Sequence, residues 1–235
     1  MNEDQQKRKG TDEAGSRGSK GIDEPGPHGS RRTQAERTAE TRKALIAAGR
    51  GLFAARGYED VGAEEIVRAA GLTRGALYHH FPGGKAGLLE AIYERLEAES
   101  TERVAHVVLD SKMDSPLAAM KAGVAAFLDE CAEPGFQQIV LHDAPAVLGW
   151  ERWRDIAAAN GLGLIEASLI AAIEAGEIRP LPVRPTAHLL LGALDEAAML
   201  IVRSPDPAAR AEITSVLLAL IDSFATPVPG PTSDP

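Results

Sequence analysis

Residues 71–85, GLTRGALYHHFPGGK, place the side chains that can read a DNA groove on one short segment. An arginine can donate two parallel hydrogen bonds to O6 and N7 of guanine, and Arg74 stands near the start of this segment. Gly75 and Ala76 follow it, and residues this small let a helix approach the base edges. The Ala76 methyl could also contact a thymine methyl group. The types and spacing of these residues therefore predict a DNA-reading helix.

The same segment offers polar groups to the DNA backbone. The hydroxyls of Thr73 and Tyr78 suit phosphate oxygens, and His79 shares their outward face. Lys85 follows a Gly-Gly turn at the start of the next helix, where a cation and free backbone N–H groups favour a phosphate. The predicted DNA-contact residues are Thr73, Arg74, Gly75, Ala76, Tyr78, His79 and Lys85.

A second short helix must hold the reading helix in place. Residues 62–81 divide into two short helices at Gly71, because glycine permits the positive φ that a tight turn needs. Thr73 can cap the second helix, and Leu77 and Phe81, four residues apart, face the core. This is the spacing of a helix-turn-helix. The alternative for such a pattern is an ordinary helical hairpin with a solvated polar face.

Charge is distributed unevenly along the 235 residues, whose net charge is −9. Residues 31–85 contain ten Lys and Arg residues and six Asp and Glu residues, whereas residues 104–235 contain eight and 17. An acidic body with a mildly basic region can bind a polyanion at one end only. The charge pattern therefore agrees with a DNA-binding region near the N-terminus.

Sequence features also bear on the cellular compartment. A single cysteine, Cys131, excludes an internal disulfide and fits a reducing compartment. The opening sequence MNEDQQKRKG lacks the apolar run of a signal peptide, and no stretch approaches the ~18 apolar residues that span a bilayer. We therefore expect a soluble, cytoplasmic protein with no membrane partner.

Most of the chain is patterned for helices. Apolar residues recur at spacings of three and four, and no convincing alternation of period two appears. Proline after a capping residue predicts helix starts near Pro116 and Pro207. Another helix is expected to start near Pro185, and residues 149–176 predict a long central helix. We therefore expect an all-α fold.

The same patterns predict how the chain is organised. Residues 1–36 are too polar to bury a core, which predicts a disordered tail, and the Pro-rich residues 226–235 predict a disordered C-terminus. Residues 37–84 form the predicted DNA-binding domain. Residues 85–225 are predicted to form a connecting helix and a helical regulatory and dimerisation bundle.

Residues 44–97 resemble the DNA-binding domain of the TetR family of bacterial transcriptional repressors. The resemblance includes, in order and spacing, Gly57-Tyr58, Ala70-Gly71-Leu72, Arg74-Gly75, Leu77-Tyr78, His80-Phe81 and Lys85. Three positions depart from the family pattern. Gly62 stands where a capping Thr or Ser is common, Val67 replaces a small Ala, and the FPGGK turn is one residue longer than the commoner form.

The resemblance implies an all-helical homodimer with three N-terminal helices, a connecting fourth helix and a regulatory bundle. In such proteins the last two long helices usually pair with their mates, and a small molecule in the bundle releases the operator. One short reading helix gives little contact by itself. A symmetric pair is therefore expected to bind a palindromic operator with half-sites about one DNA turn apart.

The regulatory half contains candidates for dimerisation and for effector binding. Residues 185–203 and 207–224 carry dense apolar faces that could meet a second subunit. Aromatic residues with a few polar groups suit a small, largely apolar effector. The predicted pocket residues are Phe127, Cys131, Phe136, His142, Trp150, Trp153 and Asn160. The alternative for each of them is an ordinary core or surface position.

Enzyme motifs are incomplete in this sequence. HHFPGGKA lacks the first glycine of a P-loop and has Ala86 in place of its Ser or Thr, and GLGLIEA has Glu166 where a dinucleotide-binding motif needs a third glycine. Neither paired cysteines nor an HExxH motif indicates a metal site. We therefore predict no catalytic residue, metal or cofactor. Two alternatives to a regulator remain open, namely a helical dimer that binds a partner without DNA and an all-helical enzyme.

Overall fold

The computed structural model describes residues 33–110, 113–204 and 206–226. In these ranges the secondary structure is helical, apart from one isolated antiparallel bridge between Ile178 and Ala225. The predicted all-α fold is therefore confirmed. The predicted disordered C-terminus, except its first residue, and residues 1–32 of the predicted tail lie outside the described ranges.

The helices follow one another with short connections. They are α1 (Gln34–Arg56), α2 (Ala63–Ala69), α3 (Arg74–His80), α4 (Lys85–Asp110), α5 (Pro116–Cys131), α6 (Pro134–Phe136), a π-helical segment (Gln137–Asp143), α7 (Ala144–Leu148), α8 (Trp150–Glu174), α9 (Val183–Arg203) and α10 (Pro207–Asp222).

Side-chain caps set the starts of α1, α3, α5 and α10. At α1, Thr33 Oγ1 accepts a hydrogen bond from the Glu36 backbone N–H at 3.2 Å, and Glu36 Oε2 accepts one from the Thr33 N–H at 2.7 Å. This capping box starts the helix at Gln34, so the predicted tail boundary at residue 36 falls inside α1. Helices α5 and α10 start at Pro116 and Pro207 as predicted.

The N-terminal domain packs α1, α2 and α3 against the first half of α4. Leu45, Phe53, Ile66 and Leu77 are completely buried in this core. Helices α1 and α4 approach closely at Gly49, where an added Cβ would lie 2.9 Å from carbon atoms of Leu88 and Ile92. The close packing holds the N-terminal domain rigidly on α4.

The second half of α4 belongs to the regulatory bundle. It crosses α5 at Gly123, where a Cβ would lie 2.7 Å from Val108 Cγ2. Helices α5, α8, α9 and α10 complete a second core around Leu128, Leu169 and Leu190. Helix α4 therefore contacts both cores.

Two long helices of the bundle, α8 and α9, are more apolar than expected from the sequence. Within the described part of the chain, Trp150–Glu174 and Val183–Arg203 are long and apolar enough to cross a membrane by length and composition. The expectation that no stretch approaches this length is therefore wrong. Both helices pack in the bundle, where Leu169 of α8 and Leu190 of α9 are buried, and core helices commonly have this composition.

Candidate functional site

Helix α3 presents most of the predicted DNA-contact residues to solvent. Its start is fixed by Gly71, with φ of 68°, and by Thr73, whose Oγ1 accepts a hydrogen bond from the Ala76 N–H at 3.3 Å. Leu77 anchors the helix in the core. Thr73, Arg74, Gly75, Tyr78 and His79 are exposed, and Ala76 is partly exposed. The structure thus brings these six predicted residues together on one short helix.

Arg74 is held loosely on this surface. Its Nη1 lies 3.5 Å from Glu64 Oε1 of α2, and both side chains are more than half exposed. Its guanidinium carbon lies 5.7 Å from the centroid of the Tyr78 ring. Exposed ion pairs of this kind contribute little stability, so Arg74 can exchange Glu64 for a base edge at small cost.

Tyr78 rests on the turn that follows α3. A Cβ at Gly84 would lie 2.7 Å from Tyr78 Cε1, and Gly84 has φ of 63°. Any larger residue at this position would displace the ring and strain the backbone. The Gly-Gly turn, which the sequence predicts as the start of a new helix, therefore also positions the Tyr78 ring on the exposed side of α3.

Lys85 lies apart from the other predicted contacts. Its Nζ donates a hydrogen bond to the Tyr58 carbonyl at 2.9 Å and stands 3.8 Å from the centroid of the Tyr58 ring. Tyr58 belongs to the loop between α1 and α2, and its N–H donates to Asp143 Oδ2 at 2.8 Å. Gln138 Nε2 donates to the other oxygen of Asp143 at 3.0 Å. Lys85, Tyr58 and Asp143 therefore link the start of α4 to the π-helical segment.

A cavity of about 90 Å³ lies inside the regulatory bundle. Its walls come from α4, α5, the π-helical segment, α8, α9 and α10. The apolar wall includes Phe127, Val140, Trp153, Leu164, Leu190 and Leu217. The indole Nε1 of Trp153 donates a hydrogen bond to the Val140 carbonyl at 2.9 Å, which fixes the ring against the π-helical segment.

Two buried acids, Glu97 of α4 and Asp195 of α9, form the polar part of the cavity wall together with hydroxyl groups. Arg154 Nη1 donates to Asp195 Oδ2 at 2.6 Å. Burial raises the pKa of the Glu97 carboxyl to about 7; a hydrogen bond with Tyr93 opposes this rise, and the Asp195 charge adds to it. Burial raises the pKa of Asp195 to about 6, and the Arg154 charge opposes this rise.

Tyr93 and Cys131 lie close to the two acids. Tyr93 Oη donates a hydrogen bond to the Trp153 carbonyl at 3.0 Å. Burial raises the pKa of both the Tyr93 hydroxyl and the Cys131 thiol, and the charges of Glu97 and Asp195 raise both further. Both groups are therefore neutral near pH 7. Across the described ranges, the structure forms no cluster of three or more His, Cys, Asp or Glu side chains that could hold a metal.

Known protein families match both domains. Residues 45–92 match the family described as bacterial regulatory proteins, tetR family, and residues 117–224 match a tetracyclin repressor-like C-terminal domain. The HTH-type transcriptional regulator CymR of Pseudomonas putida is 33% identical over 170 residues, which are 66% of this chain and 83% of CymR. The chain belongs to the TetR family.

Solved structures agree with membership of the TetR family. A TetR-family transcriptional regulator from Pectobacterium atrosepticum has 34% identity and a TM-score of 0.73, over 83% of this chain and 99% of that one. RolR in complex with resorcinol has the same fold, with 18% identity and a TM-score of 0.65, over 83% of this chain and 98% of that one.

Membership of the TetR family decides between the classes of function left open by the sequence. Its members are transcriptional regulators, typically ligand-responsive repressors, that bind DNA, dimerise and bind small molecules. The predicted regulator is therefore confirmed, and the enzymatic alternative is excluded because the family consists of regulators. The resemblance found over residues 44–97 is also confirmed by the match to 45–92.

The predicted pocket residues of this TetR-family chain are scattered. Phe127 and Trp153 line the cavity. The remaining five lie outside its lining: Cys131 and Phe136 are buried in the adjoining core, His142 is exposed, Trp150 is 58% exposed, and Asn160 donates to the Ile156 carbonyl of its own helix at 2.8 Å. Helical spacing identifies an inward face, but it does not tell which neighbouring helix that face meets.

Sequence reasoning missed the two acids of the cavity. Glu97 follows Tyr93 by four residues, and Asp195 follows Leu191 by four, so each acid continues an apolar stripe of its own helix. A charged residue in such a stripe is rarely buried without a partner. An acid within an apolar stripe is therefore the sequence feature that could have identified both residues.

Proposed function

We propose that this TetR-family protein is a repressor that binds a palindromic operator as a homodimer and releases it when a small, largely apolar molecule enters the cavity. The observation that carries the proposal is the exposed surface of α3, with Arg74, Gly75 and Tyr78 above the buried anchor Leu77. An arginine beside small residues on a short, capped helix is suited to guanine in the major groove.

The proposed dimer interface is formed by α9 and α10, within residues 185–224. Leu189 and Leu200 of α9 and Val216 and Leu220 of α10 are exposed, Leu189 by 76% and Val216 by 66%. Two copies of this surface, related by a two-fold axis, would bury these side chains against each other. The dimer would then present two α3 helices to successive half-sites of one operator.

The proposed coupling between cavity and operator runs through the π-helical segment. Trp153 lines the cavity and donates to Val140 of this segment, and the same segment carries Asp143, which accepts the Tyr58 N–H. Lys85 donates to the Tyr58 carbonyl and starts α4. A ligand that displaces Trp153 would therefore move the attachment of the N-terminal domain and favour a conformation that does not fit the operator.

The proposed DNA contacts are the six residues of the α3 surface, with Lys85 as a further contact. Because the Lys85 amine is already bound to Tyr58, a phosphate at the start of α4 would share it with the Tyr58 carbonyl. Lys85 would thus both position the N-terminal domain and attract the DNA backbone.

Since bacterial operators lie in the cytoplasm, we place the protein there.

The proposal is tested by selecting bound sequences from a random duplex pool with the purified protein. An enriched palindrome with two half-sites is expected, with a strong preference for guanine at one position of each half-site. Arg74→Ala should lose the preference at that position. Arg68→Ala removes an exposed arginine from α2 instead and should retain the preference. Selection without enrichment, or the same loss of preference in both variants, would overturn the proposal.

A further inference from the structure

The charged side chains described in the cavity wall are all acidic. Among the described residues that line the cavity, the Asp and Glu members are Glu97 and Asp195, and none is Lys, Arg or His. Arg154, which is not among the lining residues, donates to Asp195 Oδ2 at 2.6 Å. Glu97 forms no ion pair within the described part of the chain and is buried. With both acids ionised, the group of Glu97, Asp195 and Arg154 carries one uncompensated negative charge.

A buried charge without a partner is unfavourable, so such a group either takes up a proton or binds a cation. In the ligand-free protein Glu97 takes up a proton near neutral pH, since burial raises its pKa to about 7 despite the hydrogen bond with Tyr93. A cationic ligand would take the place of that proton. An anionic ligand would instead meet two acids and no free base.

We propose that the cavity binds a small molecule that joins an apolar body of about one ring to a protonated amine, with Glu97 binding the amine and Asp195 lying beside it. This inference rests on the proposed function only in taking the ligand to be the effector. The binding site itself is defined by residues of the cavity wall.

The rest of the wall suits the apolar body. Phe127, Trp153, Leu164, Leu190 and Leu217 enclose the space. A dry cavity of about 150 Å³ lined by such side chains is large enough to bind benzene, and the cavity here is about 90 Å³. A single small ring is therefore the expected size, with modest rearrangement of the side chains.

The groups that face Glu97 are known from each neighbouring helix. Tyr93 lies on its own helix, Cys131 on α5 and Asp195 on α9, and Arg154 of α8 is bound to Asp195. The Tyr93 hydroxyl donates a hydrogen bond to the Trp153 carbonyl and also interacts with the Glu97 carboxyl, but it carries no charge. The Cys131 thiol is neutral as well. Glu97 is thus the acid most available to a ligand cation, because Arg154 already neutralises Asp195.

The test compares benzylamine, benzyl alcohol and benzoate, three probes of similar shape that differ in charge, by isothermal titration calorimetry with the ligand-free protein. Benzylamine should bind at least tenfold more tightly than benzyl alcohol, and benzoate should bind most weakly. Glu97→Gln keeps the shape of the side chain and removes its charge. It should abolish the preference for the amine and leave benzyl alcohol binding unchanged.

The pH dependence of binding provides a second measurement on the wild-type protein. An alkylamine stays protonated between pH 6 and pH 8, while Glu97 titrates in this range. Benzylamine affinity should therefore fall about tenfold from pH 8 to pH 6, since binding must displace a proton from a group with a pKa near 7. Benzyl alcohol affinity should not change.

The possible results separate this inference from the proposed function. Equal binding of benzoate and benzylamine, an unchanged amine preference in Glu97→Gln, or no binding of any probe would overturn the inference. None of these results depends on DNA. Conversely, amine binding by a protein that selects no operator would support the ligand class and refute the repressor.

Discussion

Replacing Glu97 by Gln should stabilise the ligand-free protein at pH 8 and have little effect at pH 5. The pKa of the buried Glu97 carboxyl is raised from 4.5 to about 7. A carboxyl group whose pKa is raised by folding stabilises the protein while it is protonated, and this stabilisation is lost as the pH rises through the folded-state pKa. At pH 8 the wild-type protein therefore contains a buried carboxylate that has the Tyr93 hydroxyl as a partner but forms no ion pair in the described ranges, whereas glutamine cannot ionise.

The size of the effect follows from the difference between the two pKa values. One pKa unit corresponds to about 1.4 kcal/mol, so ionised Glu97 lowers the free energy of unfolding by roughly 3 kcal/mol at pH 8. At pH 5 the folded carboxyl is protonated and the expected gain is under about 1 kcal/mol. The substitution also keeps the volume of the side chain, so no cavity term adds to the difference.

The assay is guanidinium unfolding of both proteins at one protein concentration and at both pH values. Glu102→Gln is the matched control, because Glu102 is exposed on the same helix, and it should show no difference between pH 5 and pH 8 beyond a few tenths of a kcal/mol. An equal gain for Glu97→Gln at both pH values, or a loss at pH 8, would refute the reasoning. Either result would mean that Glu97 is solvated or paired with a cation.

Two further predictions concern packing and assembly. Gly87→Ala should lower the melting temperature of the protein by several degrees, because the added Cβ would lie 2.1 Å from the Pro82 carbonyl oxygen. Gly51→Ala is the control and should not lower it, because a Cβ there would meet no described atom within 4 Å. Val216→Glu should convert the dimer to a monomer in analytical ultracentrifugation and weaken operator binding, whereas Leu109→Glu, on an exposed position of α4, should leave the dimer intact. A monomeric Leu109→Glu protein, or a dimeric Val216→Glu protein, would place the interface elsewhere.

The N-terminal domain could be predicted well because its determinants are local. Gly71 supplies the turn, Thr73 caps α3 and Leu77 anchors it, and all three stand within seven residues of one another. The start of α1 was also readable, since Thr33 and Glu36 have the spacing of a capping box. The boundary of the tail predicted at residue 36 therefore lies too far along the chain.

The contacts of Lys85 could not be predicted from the neighbouring sequence. The sequence predicts that a lysine after a Gly-Gly turn binds a phosphate. The structure does place Lys85 at the start of α4. Its hydrogen bond to the Tyr58 carbonyl spans 27 residues of sequence. Asp143, which holds the N–H of the same tyrosine, lies a further 85 residues beyond Tyr58. Contacts over such separations are fixed by how helices pack, which the periodicity of one helix does not encode.

The residues that line the cavity also depend on how the helices pack. Trp150 and Trp153 stand three residues apart on α8, yet one is 58% exposed and the other is 2% exposed and lines the cavity. Aromatic character therefore did not identify the binding site. The two acids are more informative, because burying a carboxyl group is costly unless something compensates for it. Arg154 compensates the charge of Asp195, whereas Glu97 interacts with the neutral Tyr93 hydroxyl and forms no ion pair within the described part of the chain. That imbalance is a property of the assembled bundle, and it is what assigns a cationic ligand to the cavity.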